Sequence, residues 1–500
     1  MPDTRCDYLI LGSGISGMAQ AVFLAETGAS VVLLERSSVP GGSMQRFRRG
    51  GIGLDTGFHF TGGIPGCFED MLKIAGVFDE LQPVRVGLDL YFTKTDHRYT
   101  LPRGHEAVED YLVSCFPEQA EGIRQFLQLE RKIAETTPLF DVLVDNASIF
   151  NPAYGESDYF TLEEAMDRYQ LSGEARAILC GSVTCHGTPP SEISLSGHCR
   201  INYGLYHDLL RFKGGGDSVV KALMKRAAEL HVDFRSSCTV REFGALQGGG
   251  RVTSATLTDG SEIYFDSCIF TIHPSDILAY LPKEKVSDLF RERVNEFQET
   301  CGFTTVHCKV DQDVLGFREE LCSVLSTENM NDAILCRNGE NATGIMLSEE
   351  TDSSGTPCRI ATMFQSTPVD ELNEWMATST GQRGESYAAY KKQKMESILR
   401  DRLFRAYPQF EGHIQVLDCA TQLTFRDWLS PTGSAYGIRQ KMGQNNLFGR
   451  LPVRNFYVCG QSSMLPGVFG AMLSSLVLFR KMMGEEVYRN IVSEQLGRNS

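Results

Sequence analysis

Gly12-Ser13-Gly14-Ile15-Ser16-Gly17, close to the amino terminus, has the residue types and spacing to hold a pyrophosphate. The first glycine permits a tight turn, the second lets backbone amides approach the phosphates, and the third lets a helix pack closely on a strand. The helix that follows directs its positive end at the anion. Glu35 ends the next apolar run, where a carboxylate accepts hydrogen bonds from ribose hydroxyls. This is the pattern of a dinucleotide site. Two further glycine clusters recur, at Gly41-Gly42-Ser43 and from Gly460-Gln461 to Pro466-Gly467-Val468 and Gly470. Cys180, Cys185-His186 and His198-Cys199 offer zinc-type ligands, but adjacent ligands separated in this way match no usual structural zinc spacing, and they read as core or pocket residues. With Ser43-Met44 after the second glycine pair, the loop also lacks the cysteine pair that disulfide-reductase chemistry requires.

The elements around the fingerprint are those it needs. Cys6 to Leu11 is a short apolar run, Gly17 to Thr27 is helical and closed by Gly28, and Ala29 to Leu34 is apolar again, a βαβ unit. Glu106 to Thr136 predicts two helices divided at Pro117. Asp217 to Leu230 predicts an amphipathic helix, followed by a strand at Val232 to Arg235. Arg251 to Thr258 and Ser261 to Asp266 flank Asp259-Gly260 as a hairpin, and Ser267 to Ile272 predicts a separate buried strand. Cys301 to Phe364 alternates as strands do, and Ser386 to Leu403 is charged and helical. Asn455 to Cys459 predicts a strand, a glycine loop follows, and a helix is expected from about Gly470 to Met483. The fold class is therefore α/β: a Rossmann-like doubly wound domain with an inserted α+β domain. The expected division assigns 1–75, 207–276 and 419–500 to the cofactor domain and 76–206 and 277–418 to the substrate domain.

Composition narrows the partners. With 500 residues, 42% hydrophobic and 22% charged, the chain can bury a large core. A net charge of −15 opposes a phosphate-backbone footprint or a polybasic hold on anionic lipid, so no nucleic-acid partner is expected. Fifteen cysteines without a CxxC pair or secretory leader read as free thiols of a cytoplasmic protein. The uncharged stretches Tyr8 to Ala25 and Met464 to Phe479 are broken by glycine, serine and proline, and no transmembrane segment is expected.

The run Glu35-Arg36-Ser37-Ser38-Val39-Pro40-Gly41-Gly42-Ser43, then Leu54-Asp55-Thr56-Gly57-Phe58-His59, and later Phe456-Tyr457-Val458-Cys459-Gly460-Gln461 resemble the FAD-containing amine-oxidase and phytoene-desaturase superfamily. Closer resemblance, carried by Gly53 to Gly63, His186 to Ser196, Phe212 to Val219, Ala420 to Phe425, Gly433 to Gly437 and Asn455 to Ala471, falls on its carotenoid isomerase, retinol saturase and phytoene desaturase branch. Gln422 and Ser43 depart from the superfamily, which commonly has proline and arginine there. The resemblance implies FAD, held by Gly12, Gly14, Ile15, Ser16, Gly17, Glu35, Arg36, Gly41, Gly42, Ser43, Thr56, Gly57, His59, Val240, Gly460, Gln461, Pro466, Gly467, Val468 and Gly470. NAD(P)H or another external donor is compatible with it.

The branch implies hydride transfer at flavin N5 to or from a carbon–carbon double bond of an apolar polyene or isoprenoid, as saturase, desaturase or isomerase. Such a substrate requires a deep apolar tunnel and allows peripheral contact with a membrane. His59 and Tyr436 are the catalytic candidates, His59 as a group that exchanges a proton near neutrality. A flavin amine oxidase or dehydrogenase of a smaller substrate, and a flavin-binding protein without turnover, are the alternatives.

Overall fold

In the computed structural model, which describes residues 4–150 and 155–497, Thr4–Leu11 is flanked in parallel by Val31–Leu34 on one side and Glu262–Phe270 on the other. Asp233–Arg235 and Phe456–Val458 extend this sheet outward, also in parallel. Ile10 lies opposite both Leu33 and Ile269, and all three are buried. Sheets of this kind are covered on both faces, which is why these strands read as unbroken apolar runs. All eleven residues of the helix Ile15–Ala25 are buried, where it packs against the helices Gly467–Met483 and Gly216–Glu229.

The predicted hairpin is present between Ser254–Leu257 and Glu262–Phe270, but its second arm and the buried strand expected after it are one nine-residue strand. The amino-terminal end of that strand pairs antiparallel with the hairpin, and its carboxyl-terminal end pairs parallel with Phe456–Val458. The change of partner at Asp266-Ser267 produced the sequence boundary; the backbone runs straight through it.

A second sheet has seven strands in the order Ile414–Ala420, Gly302–Val310, Pro357–Thr367, Ala342–Thr351, Glu320–Leu325, Gly87–Phe92 and Arg98–Leu101. All neighbours are antiparallel except Glu320–Leu325 and Gly87–Phe92. Side chains alternate across the pleat. Val306, Cys308 and Val310 pack with Leu403, Tyr407 and Phe410 beneath the sheet, and Phe303 and Thr305 face the opposite way. The predicted helix pair is His105–Cys115 and Ala120–Glu135, separated by a short turn at Pro117–Gln119. Together with Leu195–His207 it forms a helical layer over one end of the second sheet, with Phe126 and Leu127 fully buried inside it. No helix among the described residues is long and apolar enough to cross a membrane.

Candidate active site

The two ends of the chain meet at the site. Ser16 Oγ donates to the Ala471 carbonyl (3.1 Å) and Ser475 Oγ donates to the Ser16 carbonyl (3.0 Å), joining the fingerprint helix to the C-terminal helix. That second helix begins at Gly467, one turn earlier than the sequence suggested, with Pro466 as its cap. Neither helix has a side-chain cap or an acidic residue in its first turn. Their free N–H groups and positive ends therefore remain available to an anion or an electron-rich ring. Both open on one cavity of about 930 Å³.

At one end the cavity is a trench lined by Gly12, Gly14, Ile15, Ser16, Glu35, Arg36, Gly41, Gly42 and Ser43. Glu35 organises this end. Its Oε2 accepts from Ser13 N (3.0 Å) and Ser13 Oγ (2.7 Å), and its Oε1 from Ser37 N (2.9 Å) and Ser37 Oγ (3.1 Å). The glycines divide the labour as the fingerprint requires. Gly12 has φ +98°, a left-handed conformation that suits glycine. A Cβ on Gly17 would sit inside the Gly12 carbonyl, whereas one on Gly14 would meet nothing within 4 Å and would project into open space. Arg36 Nη2 reaches across to the Leu429 carbonyl at 3.1 Å.

Farther along, Thr56, Gly57, His59, Tyr436, Gly460, Gln461, Pro466, Gly467 and Val468 share the same wall. His59 is stacked on Phe364, with centroids 4.5 Å apart and planes 3° apart, and its Nδ1 is buried without a partner. Burial, reinforced by Arg211 and Arg46, lowers its pKa to about 4. This corrects the expectation of a group titrating near neutrality: here the imidazole is neutral at pH 7. Tyr436 meets Phe303 edge-on at 6.1 Å, and burial holds its phenol protonated, well above its ordinary pKa. Close enough to His59 to act on its charge, Arg46 pairs with Asp55 and Glu350, each at 3.0 Å. Arg211 also pairs with Glu350 and, at 3.0 Å, with Glu319.

Three expected residues stand off the cavity wall. Gly17 provides the helix–strand contact, and Gly470 lets its helix pack against the Leu465 carbonyl. Val240 is buried in the core of the first sheet, and its neighbours Cys238 and Thr239 face the cavity instead. Residues that sequence reasoning did not single out complete the wall: Phe60, Phe303 and Phe364 near His59, and Glu135, Arg200 and Tyr203 beyond them. The alternation of Gly302–Val310 could have marked Phe303; nothing local marks Arg200. Among the described residues the exposed Asp311, Asp313 and His413 form a metal-capable group, and every cysteine is free.

The uncapped helix ends, the open face at Gly14 and the carboxylate at the end of the second strand fit a flavin dinucleotide. Comparison with known proteins agrees. Human all-trans-retinol 13,14-reductase is 21% identical over 97% of this chain and 87% of its own length. The chloroplastic prolycopene isomerase of Daucus carota is 23% identical over 89% and 73%. An oxidoreductase from Methanosarcina mazei has the same fold, with TM-score 0.64 at 15% identity, covering 94% of this chain and 99% of that one. The cofactor is FAD. Residues 15–475, from the fingerprint helix to the C-terminal glycine helix, match the family described as flavin containing amine oxidoreductase, and the chain belongs to that family.

Proposed function

We propose that this oxidoreductase acts on a carbon–carbon double bond of an apolar polyene, as a saturase, desaturase or redox-assisted isomerase. The observation that carries the reading is the cavity itself. It runs without interruption from Gly14 and Glu35 to a wall of Phe60, Phe303, Phe364 and Tyr436 around a neutral His59. Such a wall binds by apolar contact and excludes water. The names of the retinol reductase and prolycopene isomerase relatives support the same substrate class.

FAD bound here supplies hydride exchange at N5. We assign its binding to the glycines and Glu35 of the trench and to the Gly460–Val468 wall, and the substrate to a wall that Phe303 and Phe364 of 277–418 form together with Phe60 and Tyr436. The protein's own groups then divide the work. The Tyr436 phenol is a donor that keeps its proton. Neutral His59 lines the cavity with its ring held flat against Phe364, placed to orient a substrate or flavin ring by stacking and shape.

The test is anaerobic. The flavin is reduced with dithionite or NAD(P)H, retinoids and carotenoids are added, and products are followed by mass. A two-hydrogen gain marks a saturase. A two-hydrogen loss with oxidised flavin marks a desaturase, and unchanged mass at a new retention time marks an isomerase. No conversion, with rapid peroxide release on amines in air, overturns the reading.

A further inference from the structure

Behind the wall around His59 the second sheet encloses a separate, smaller chamber of about 20 Å³. Leu321, Ile334, Ala342, Thr343 and Ser366, all buried, line it, and Phe60, Cys185, Phe303 and Phe364 are shared with the main cavity. The partition between the two spaces is therefore a single layer of side chains, most of them aromatic. The hydroxyls of three lining residues are already engaged. Ser366 Oγ donates to the Ala342 carbonyl (3.1 Å), Thr343 Oγ1 accepts from Gln365 Nε2 (3.1 Å), and Thr184 Oγ1 donates to the Gly181 carbonyl (2.9 Å). A buried water needs several polar partners, so the chamber offers apolar room.

Phe364 owes its place in that partition to the residue across the strand pair. Gly344 and Phe364 stand directly opposite each other where Ala342–Thr351 pairs with Pro357–Thr367. A Cβ on Gly344 would collide with the Cε2 and Cζ edge of the Phe364 ring. The ring thus occupies the space that any side chain at 344 would need, which is a use of glycine in a strand interior. One edge of the ring lies on Gly344, its face lies on His59 at 4.5 Å, and Phe303 meets it at 5.7 Å with planes 72° apart. Elsewhere on the cavity lining Glu135, Asp141 and His207 are exposed, and the cavity opens to solvent there. A chain that enters and advances toward His59 comes up against a buried ring with packed sheet behind it.

We propose that Phe364, seated on Gly344, is the end stop of the substrate chain, so that this pair sets how far the chain advances and which double bond comes to rest beside His59. The inference rests on the polyene reading and adds a specificity determinant to it. The phenyl ring has the bulk of about one isoprene unit, and removing it joins the cavity to the chamber. A methyl at 344 pushes the ring toward His59 and shortens the site, so the two changes act on chain length in opposite directions. The test titrates the flavin absorbance of the FAD-loaded protein with retinal and with its homologues one isoprene unit shorter and one longer. Even one methylene in an apolar pocket is worth about tenfold or more. Phe364→Ala is therefore expected to favour the longer homologue over retinal at least about tenfold more than the parent protein does, with Phe364→Leu in between. Gly344→Ala is expected to shift the preference from retinal to the shorter homologue by a similar factor. Bound flavin per chain and the melting temperature show which variants are folded, and the two Phe364 variants carry the test without Gly344→Ala. An unchanged order of the three homologues, or a uniform loss of all three, overturns the end stop and leaves the polyene reading standing. If no homologue perturbs the flavin of the parent protein, the polyene reading fails and the end stop with it.

Discussion

His59 lies flat against Phe364, ring on ring at 4.5 Å, although the two residues come from different parts of the chain and the imidazole is pushed down to about 4 by burial. An ionisation at that value falls well below the working range. The dependence of kcat/KM on pH should therefore show no inflection from His59 between about pH 5.5 and 7.5, and His59→Gln should change the amplitude of the profile without changing its shape there. A limb near pH 6.5 that disappears in His59→Gln would contradict the structure.

Gly14 and Gly17 separate binding from folding. A methyl on Gly14 meets no protein atom, so Gly14→Ala should leave the melting temperature of the flavin-free protein within a few degrees while strongly reducing bound flavin. A methyl on Gly17 collides with the Gly12 carbonyl, and overpacking of this kind costs about 1–3 kcal/mol. Gly17→Ala should therefore lose stability even without flavin. Equal melting temperatures for the two apoproteins would count against this division.

Glu35 accepts four hydrogen bonds from Ser13 and Ser37, holding the fingerprint loop against the loop after the second strand. Glu35→Gln places an amide donor among these donors. Charge-assisted hydrogen bonds are worth about 1.5–3 kcal/mol, so FAD affinity should weaken by about tenfold to a hundredfold, as read by the recovery of flavin fluorescence on dilution.

Glu350 bridges two almost fully buried arginines, Arg46 and Arg211. Glu350→Gln removes the carboxylate the two share but leaves Arg46 with Asp55 and Arg211 with Glu319, so the cost is that of charged hydrogen bonds, about 1.5–3 kcal/mol, rather than of an orphaned charge. Urea unfolding should show a loss of this size. Glu349, exposed and beside it, should tolerate the same change.

Four histidines are held neutral by burial: His59 and His198 at about 4, His307 at about 3, and His186 well below its ordinary value. In the unfolded chain they protonate near 6.5. The stability they confer is complete above that pH and is lost as pH falls from about 6.5 toward 4, because the unfolded state then binds more protons. Between pH 7 and pH 5 each should cost about 2 kcal/mol by this linkage. Thermal melts across this range check the sign: stability that is constant or rising on acidification would refute it.

The nucleotide half of the site was legible because it is local. Gly12 to Glu35 spans one βαβ unit, and its turns, strand and helix N-terminus are encoded by neighbouring residues. The other half is assembled from distant segments. Phe303 and Phe364 become neighbours only through the pairing of Gly302–Val310 with Pro357–Thr367. Arg200 faces the cavity because Asn202 and Glu130 fix the roll of its helix. The pKa of His59 was misjudged for the same reason: burial and the charges behind it are tertiary facts. The last helix starts at Gly467, directly after the extended backbone of Pro466, and not at the next glycine of the run, Gly470, which lies inside its first turn.

The order in which the chain emerges during synthesis acquires a meaning from the first sheet. Thr4–Leu11 is made long before its partner Glu262–Phe270, and the Ala471 carbonyl that receives Ser16 follows it by 455 residues. The cradle at Gly14 is thus incomplete on the ribosome until the helix Gly467–Met483 has been released. Flavin capture is consequently a late event of maturation, and a chain cut before Gly467 should accumulate as a yellow-free, chaperone-dependent species even though its fingerprint is intact.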